Sequence, residues 1–193
     1  MNPQTQSPQC PNLPKDNMED ERWDLLWGVR RSIRYHDRRR RFFDVCHRFV
    51  VGTGVVLATI GFTVANGALD EKWLHWFSIF SMFAFLLDLS LGFSNCAQLH
   101  TNLKQKFGEL EADIIKNRQD DMTPFIAQRL QIEKDEPPIL RALDILCHNE
   151  LARSIEETKE DIYKVGFLQR ITSQLYSWPN IQVELEQETQ ASS

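Results

Sequence analysis

One carboxylate stands alone in apolar surroundings: Asp88 is the only acid of residues 73–93, WLHWFSIFSMFAFLLDLSLGF. Placing a carboxylate in hydrocarbon costs about 2.5–3.5 kcal/mol on insertion scales, and such residues mark ion or proton pathways. The chemistry on offer is therefore charge handling inside a membrane. At helical spacing Asp88 shares one face with Ser78, Ser81, Ala84, Gly92 and Asn95, a face that is small and mostly polar. Three states are open to it. The carboxyl is protonated, or it pairs with His47 or Arg48 on the preceding apolar run, or the polar face lines a water-filled path. A two-helix hairpin cannot enclose a pore by itself, so the last state requires self-association. The preceding run carries Gly54, Ala58, Gly61 and Ala65 at intervals of four, three and four. Such a small-residue face lets lipid-embedded helices pack closely. Folding the two runs about Glu71 sets Asp88 opposite Gly54.

The remaining reactive side chains do not assemble a catalytic set. Cys46 and Cys96 fall at equal distances either side of the turn, but a reducing cytoplasm argues against a disulfide. Cys10 and Cys147 have no CxxC partner. Asp144, Cys147 and His148 could offer two or three metal ligands, where a structural site normally takes four. Capping, ion pairing and packing account for them equally well. P-loop, GxSxG, HExxH and dinucleotide fingerprints are missing. The expectation is a protein without catalytic residues, metal or cofactor.

The elements that must position these residues emerge once the averages are divided. The whole chain of 193 residues carries a net charge of −5, is 42% hydrophobic and has a mean hydropathy of −0.39, with a pI near 5.6. These values describe an ordinary soluble protein and give no basic surface for nucleic acid. By segment the picture differs. Residues 1–48 carry 10 Lys/Arg and 7 Asp/Glu, residues 49–93 one Lys and three acids, and residues 94–193 carry 11 Lys/Arg and 17 acids. The nearly uncharged middle contains two runs of 21 residues, 49–69 and 73–93, separated by Asp70, Glu71 and Lys72. At 1.5 Å per residue each reaches about 30 Å, the thickness of a bilayer core. The sequence predicts an all-α membrane protein built on a two-helix transmembrane hairpin.

Orientation follows from the basic residues. Arg30, Arg31, Arg34, Arg38, Arg39, Arg40, Arg41 and Arg48 precede the first run, and Lys104 and Lys106 follow the second. The positive-inside rule puts both termini in the cytoplasm, and the arginine cluster level with the anionic headgroups of the inner leaflet. Trp73 and Trp76 then fall at the outer interface. A cleaved signal peptide is excluded by the depth of the first run.

The flanks read as helices and tails. Residues 1–17 hold four of the eight prolines and predict a disordered tail, matched by a second over 178–193. Residues 18–48 predict a basic cytoplasmic helix with Gly28 as its weak point. Residues 94–177 predict a cytoplasmic helical region. Leu99, Leu103, Phe107, Leu110 and Ile114 keep helical spacing and imply that the second span continues into the cytoplasm without a joint. Thr123 and Pro124 predict an N-cap and a first-turn proline for a helix ending near Lys134. Pro137 and Pro138 separate it from the next, over 139–154, and a last amphipathic helix is expected over 155–177.

This order of elements resembles the SLATT family, two-transmembrane effectors associated with nucleotide-sensing modules in bacterial conflict systems. The likeness is carried by RRSIRYHDRRRRFFDVCHRF, LHTNLKQKFGELEADI and RLQIEKDEPPILRALDILCHNELARS and covers about residues 20–175. It implies a pore-forming or membrane-perturbing defence effector in the bacterial inner membrane, held silent until a cytoplasmic signal arrives, and no catalytic set. The expected partners are the lipid bilayer, further copies of the chain and a cytosolic sensor protein. Two other readings compete: a membrane-anchored scaffold that docks a cytosolic partner without conducting, and a holin-like protein or small transporter subunit.

Overall fold

The computed structural model describes residues 15–66, 71–117, 121–155 and 162–178. Of the expected tails at 1–17 and 178–193, residues 1–14 and 179–193 lie outside the described residues, as do residues 67–69 of the first run and Asp70 of the turn, whereas Lys15, Asp16 and Asn17 belong to a helix. Among the described residues the regular structure is six α-helices: α1 Lys15–Ala65, α2 Glu71–Leu91, α3 Phe93–Lys116, α4 Thr123–Glu133, α5 Arg141–Ser154 and α6 Phe167–Thr172.

α1 is one helix of 51 residues. Its sequence between Pro14 and Ala65 contains no proline, so nothing interrupts its hydrogen-bond ladder. The basic helix and the first apolar run are thus a single rod about 76 Å long. Gly28 does not weaken it into a joint. Instead the missing side chain makes room for Arg129: a Cβ there would lie 2.5 Å from the Arg129 Nη1. Arg129 in turn holds Glu133 at 2.6 Å.

α2 runs back along the C-terminal part of α1. Phe49 meets Phe80 edge-on at 6.4 Å, and Gly54 and Gly61 admit Phe85 and Leu74 respectively. Glu71 and Lys72, expected in the turn, already belong to α2. Helices Glu19–Ala65 and Leu74–Leu91 are long and apolar enough to cross a membrane. Their large side chains point away from the protein, with Phe62, Phe83 and Leu89 at 72, 60 and 83% exposure.

The expectation of an unbroken second helix is corrected at Gly92. This residue adopts the left-handed conformation, φ 59° and ψ 52°, and splits α2 from α3. Its N–H still bonds the Asp88 carbonyl at 2.7 Å and its own carbonyl receives the Cys96 N–H at 2.9 Å. The chain therefore turns without leaving backbone groups unpaired. An L side chain in this region meets its own carbonyl, which costs about 1–2 kcal/mol. Gly92→Ala should lower the unfolding free energy by about that amount, and Gly92→Asn by less, because Asn tolerates the left-handed region. Equal denaturation midpoints for wild type and Gly92→Ala would remove the strained joint.

α3 then returns antiparallel along the N-terminal half of α1. Leu103, Phe107, Leu110 and Ile114 are fully buried against Leu25 and Val29 of α1 and Phe125 and Ile132 of α4. Burying each such side chain contributes about 1.5–3 kcal/mol. Leu99, expected on this face, is exposed, and His100 takes the buried place. On the other side of α1, α5 packs Leu151 and Ala152 on Trp27, and Leu143 and Cys147 on Tyr35. Buttressing ion pairs join Arg30 to Glu111 at 2.7 Å, Arg31 to Asp144 at 3.3 Å and Lys104 to Asp37 at 2.8 Å. α1 is the central post of this lobe.

Two further expectations change. The oxygen that caps α4 belongs to Asp121, which accepts the Thr123 N–H at 2.9 Å, rather than to Thr123. The last helix is only the six-residue α6, not 155–177. Residues 156–161 of that expected helix lie outside the described residues. Within the rest, Asn149 fixes a non-helical segment by accepting the Tyr163 N–H at 2.9 Å and donating to the Tyr163 carbonyl.

Candidate functional site

Polar side chains gather in two tiers where the apolar hairpin meets the lobe. The upper tier is His47 of α1 and Asp88 of α2, with the His47 Nδ1 at 3.4 Å from the Asp88 carboxylate. Of the three states open to Asp88, pairing with His47 is thus the geometry found. The contact is made by the Asp88 Oδ2, while neither the His47 Nδ1 nor the Asp88 Oδ1 makes a hydrogen bond. Asp88 faces a position below Gly54: the residue opposite Gly54 is Phe85, whose Cζ would lie 3.0 Å from a Cβ there. Two turns up α2, Ser81 is 2% exposed and its hydroxyl has no hydrogen-bond partner. It edges a groove of about 510 Å³ shared with Phe49, Gly52 and Phe77. Ser78 satisfies itself by donating to the Leu74 carbonyl at 2.7 Å.

The predicted polar face does not run on as one stripe. Ser81, Ala84 and Asp88 turn toward α1, while Asn95 stands beyond the Gly92 joint, exposed on α3. The small-residue face divides as well. Gly54 and Gly61 lie against α2, whereas Ala58 and Ala65 are exposed.

The lower tier sits eleven residues down α1, about 16 Å by helical rise. Sequence reasoning did not single it out. His36 of α1 and His100 of α3 are buried, with their Nδ1 atoms 2.9 Å apart. The His36 Nε2 lies 3.0 Å from Glu136, in the segment joining α4 to α5. The Glu136 carboxylate accepts from the His36 Nε2, and one of the two Nδ1 atoms donates to the other. Phe107 stacks on His36 and Phe43 on His100, at 5.6 and 5.7 Å between centroids. Burial, then the neighbouring charges of His36 and Arg39, push the His100 pKa down to about 4. The tier is a chain of hydrogen bonds from Glu136 through His36 to His100, clamped between aromatic rings. Beside it the Tyr35 hydroxyl accepts the Leu140 N–H at 3.1 Å, and burial raises its pKa.

Most of the arginine cluster is engaged within the protein. Arg38 pairs with Glu150, Arg40 with Asp37 and Asp44, and Arg41 with Asp37 at 2.7 Å. For Asp37, partial burial opposes ionisation, but the Lys104 hydrogen bond with the Lys104 and Arg41 charges holds its pKa below the usual value. Arg39 lies 4.5 Å over the Phe43 ring and donates to the Gln174 carbonyl at 2.6 Å. Arg48 is exposed.

The possible metal ligands point to different partners. Asp144 pairs with Arg31, and the His148 Nδ1 accepts the Trp27 indole N–H at 3.4 Å. Burial drives the Cys147 thiol up to about 12. Among the described residues no group of three or more His, Cys, Asp and Glu could hold a metal ion. Cys46 and Cys96 are free thiols.

Comparison with protein-family models, curated proteins and solved structures finds no match to this chain.

Proposed function

We propose that this chain is an oligomeric membrane effector of the bacterial inner membrane, pore-forming or membrane-perturbing and triggered through its cytoplasmic lobe. In this reading residues 49–69 and 73–91 cross the bilayer, and both termini face the cytoplasm. The order of elements that resembles the SLATT effectors of bacterial conflict systems supports it. One observation carries the conducting part: the Ser81 hydroxyl and the Asp88 Oδ1 are buried without hydrogen bonds on the same side of α2. Unpaired polar groups are costly in a low-dielectric surround, so this arrangement favours any state that brings them water or a second copy. The closed hairpin holds these groups shut against α1. A signal at the lobe, carried up α1, would part the two helices and hydrate them.

A membrane-anchored scaffold is the competing reading. A cavity of about 650 Å³ between α5 and α6, walled by Arg38, Glu150, Arg153 and Arg170 together with Leu146 and Val165, favours it by offering a seat for a partner segment.

Recording membrane potential during induced expression separates the two. Wild type should depolarise cells, and Asp88→Ala or the Gly54→Leu/Gly61→Leu pair should reduce the effect by about tenfold or more, because each removes an intramembrane polar group or a close helix contact. Depolarisation unchanged in both variants removes the conducting path, and no depolarisation by wild type under any trigger, at matched membrane levels, favours the scaffold.

A further inference from the structure

α6 and the turn after it carry their polarity the wrong way round for a protein surrounded by water. Ser173 is buried and Gln169 and Thr172 turn partly inward, while Phe167, Leu168, Ile171 and Leu175 are 77, 69, 60 and 74% exposed. Spacings of three and four place these four on one stripe. Isolated apolar side chains on a surface need no explanation, whereas a contiguous stripe does.

The position of the stripe indicates what covers it. The Arg39 guanidinium holds the Gln174 carbonyl at 2.6 Å and so ties the end of α6 to α1. Arg39 lies ten residues before Phe49, where the uncharged run begins, about 15 Å along the helix. The headgroup layer fills roughly 5–8 Å of that interval, which leaves the tied end of α6 about 7–10 Å from it. Aromatic residues with polar tips follow at the same level. Tyr176 meets Trp178 edge-on at 5.3 Å, and the Trp178 indole N–H donates to Thr172 at 3.1 Å. Amphipathic rings of this kind are enriched at headgroup depth. A protein partner fits less well. Six helical residues span about 9 Å, too short to supply the roughly 800 Å² that each side of a standard protein interface buries.

We propose that residues 167–178 form a monotopic docking element, lying in the lipid interface of the leaflet at which α1 enters, with the apolar stripe among the acyl-chain ends. This rests on the reading of the hairpin as membrane-spanning. The element would hold the lobe against the membrane surface and fix its tilt relative to the spans.

The test uses the full chain in nanodiscs of mixed phosphatidylcholine and phosphatidylglycerol, carrying a benzophenone amino acid at one position at a time. Ile171 reports on the stripe, Phe83 on the lipid face of α2 and Gln131 on the exposed surface of α4. Mass spectrometry after irradiation counts lipid adducts. For an interfacial helix the adducts at Ile171 should be within about threefold of those at Phe83 and about tenfold above those at Gln131. Adducts at Phe83 with none above the Gln131 level at Ile171 overturn the docking element alone. Cross-links from Ile171 to a second copy in place of lipid overturn it too. If Phe83 also gives no lipid adduct, the membrane-spanning reading falls and the docking element falls with it. Equal protection of the lobe from limited proteolysis in all three forms keeps misfolding from imitating either outcome.

Discussion

Replacing Phe107 with alanine should destabilise the lobe by about 3–5 kcal/mol, the range for removing a fully buried aromatic ring. Phe107 is 0% exposed and sits among Leu103, Leu110 and Val29. Its loss would do two things at once. It would open a cavity at the crossing of α1 and α3, and it would uncover the His36 ring on which it stacks. The second effect adds to the first, because the hydrogen-bonded chain from Glu136 through His36 to His100 depends on being dry. The exposed Leu99 is the matched control, and Leu99→Ala should change stability by less than about 0.5 kcal/mol. Denaturant unfolding of the detergent-solubilised chain, followed through Trp27 fluorescence, measures both. A Phe107→Ala loss no larger than that of Leu99→Ala would sink the assignment of the core.

Acid should weaken the lobe through His100. An unfolded histidine titrates near 6.5, and the folded one near 4, held down by burial and by the charges of His36 and Arg39. Between those values the unfolded chain binds the extra proton and the folded chain does not. Stability is therefore complete above pH 6.5, falls as the pH drops toward 4 and levels off below. The separation of pKa values corresponds to about 3 kcal/mol. The groups facing the site define what else titrates there: Tyr35 and Arg39 from α1, His36 with its Glu136 partner, and the uncharged ring of Phe43. A glutamine at position 100 can donate to the His36 Nδ1 without taking up a proton. His100→Gln should thus flatten the profile between pH 6.5 and 4, and an unchanged slope would falsify the assignment to His100.

The two long apolar helices were plain in the sequence, because runs of 21 residues with no charge in the first and Asp88 alone in the second leave few alternatives, and so were the breaks at Pro124, Pro137 and Pro138. The joint at Gly92 was not. A glycine in a helical pattern is ordinarily tolerated, and only its positive φ distinguishes it from Gly28, through which α1 runs straight. The buried face of α3 was legible in part. The choice of Leu99 over His100 followed hydrophobicity, whereas the spacing 100, 103, 107, 110 and 114 is the more regular helical stripe. Hydrophobicity misled because His100 is satisfied by His36, a partner 64 residues away. No local pattern encodes that pairing. Within the arginine cluster, the local pairs of Arg40 and Arg41 with Asp37 and Asp44 follow helical spacing, whereas Glu150 and Gln174, the partners of Arg38 and Arg39, are more than a hundred residues distant. The apolar periodicity over 162–175 predicts one amphipathic helix, but only Phe167–Thr172 is helical: Ile162 packs beside Trp27 in a non-helical segment, and Leu168, Ile171 and Leu175 are exposed.

The unbroken α1 places a restriction on length. A helix without a joint fixes the angular phase between whatever is attached to its two ends, about 100° for each residue between them. One residue added or lost between Arg41 and Phe49 would swing the lobe a quarter turn or more around the hairpin, pulling α3 away from the Gly92 end of α2. That stretch of helix therefore keeps its count wherever the contact between α3 and the Gly92 end of α2 is kept.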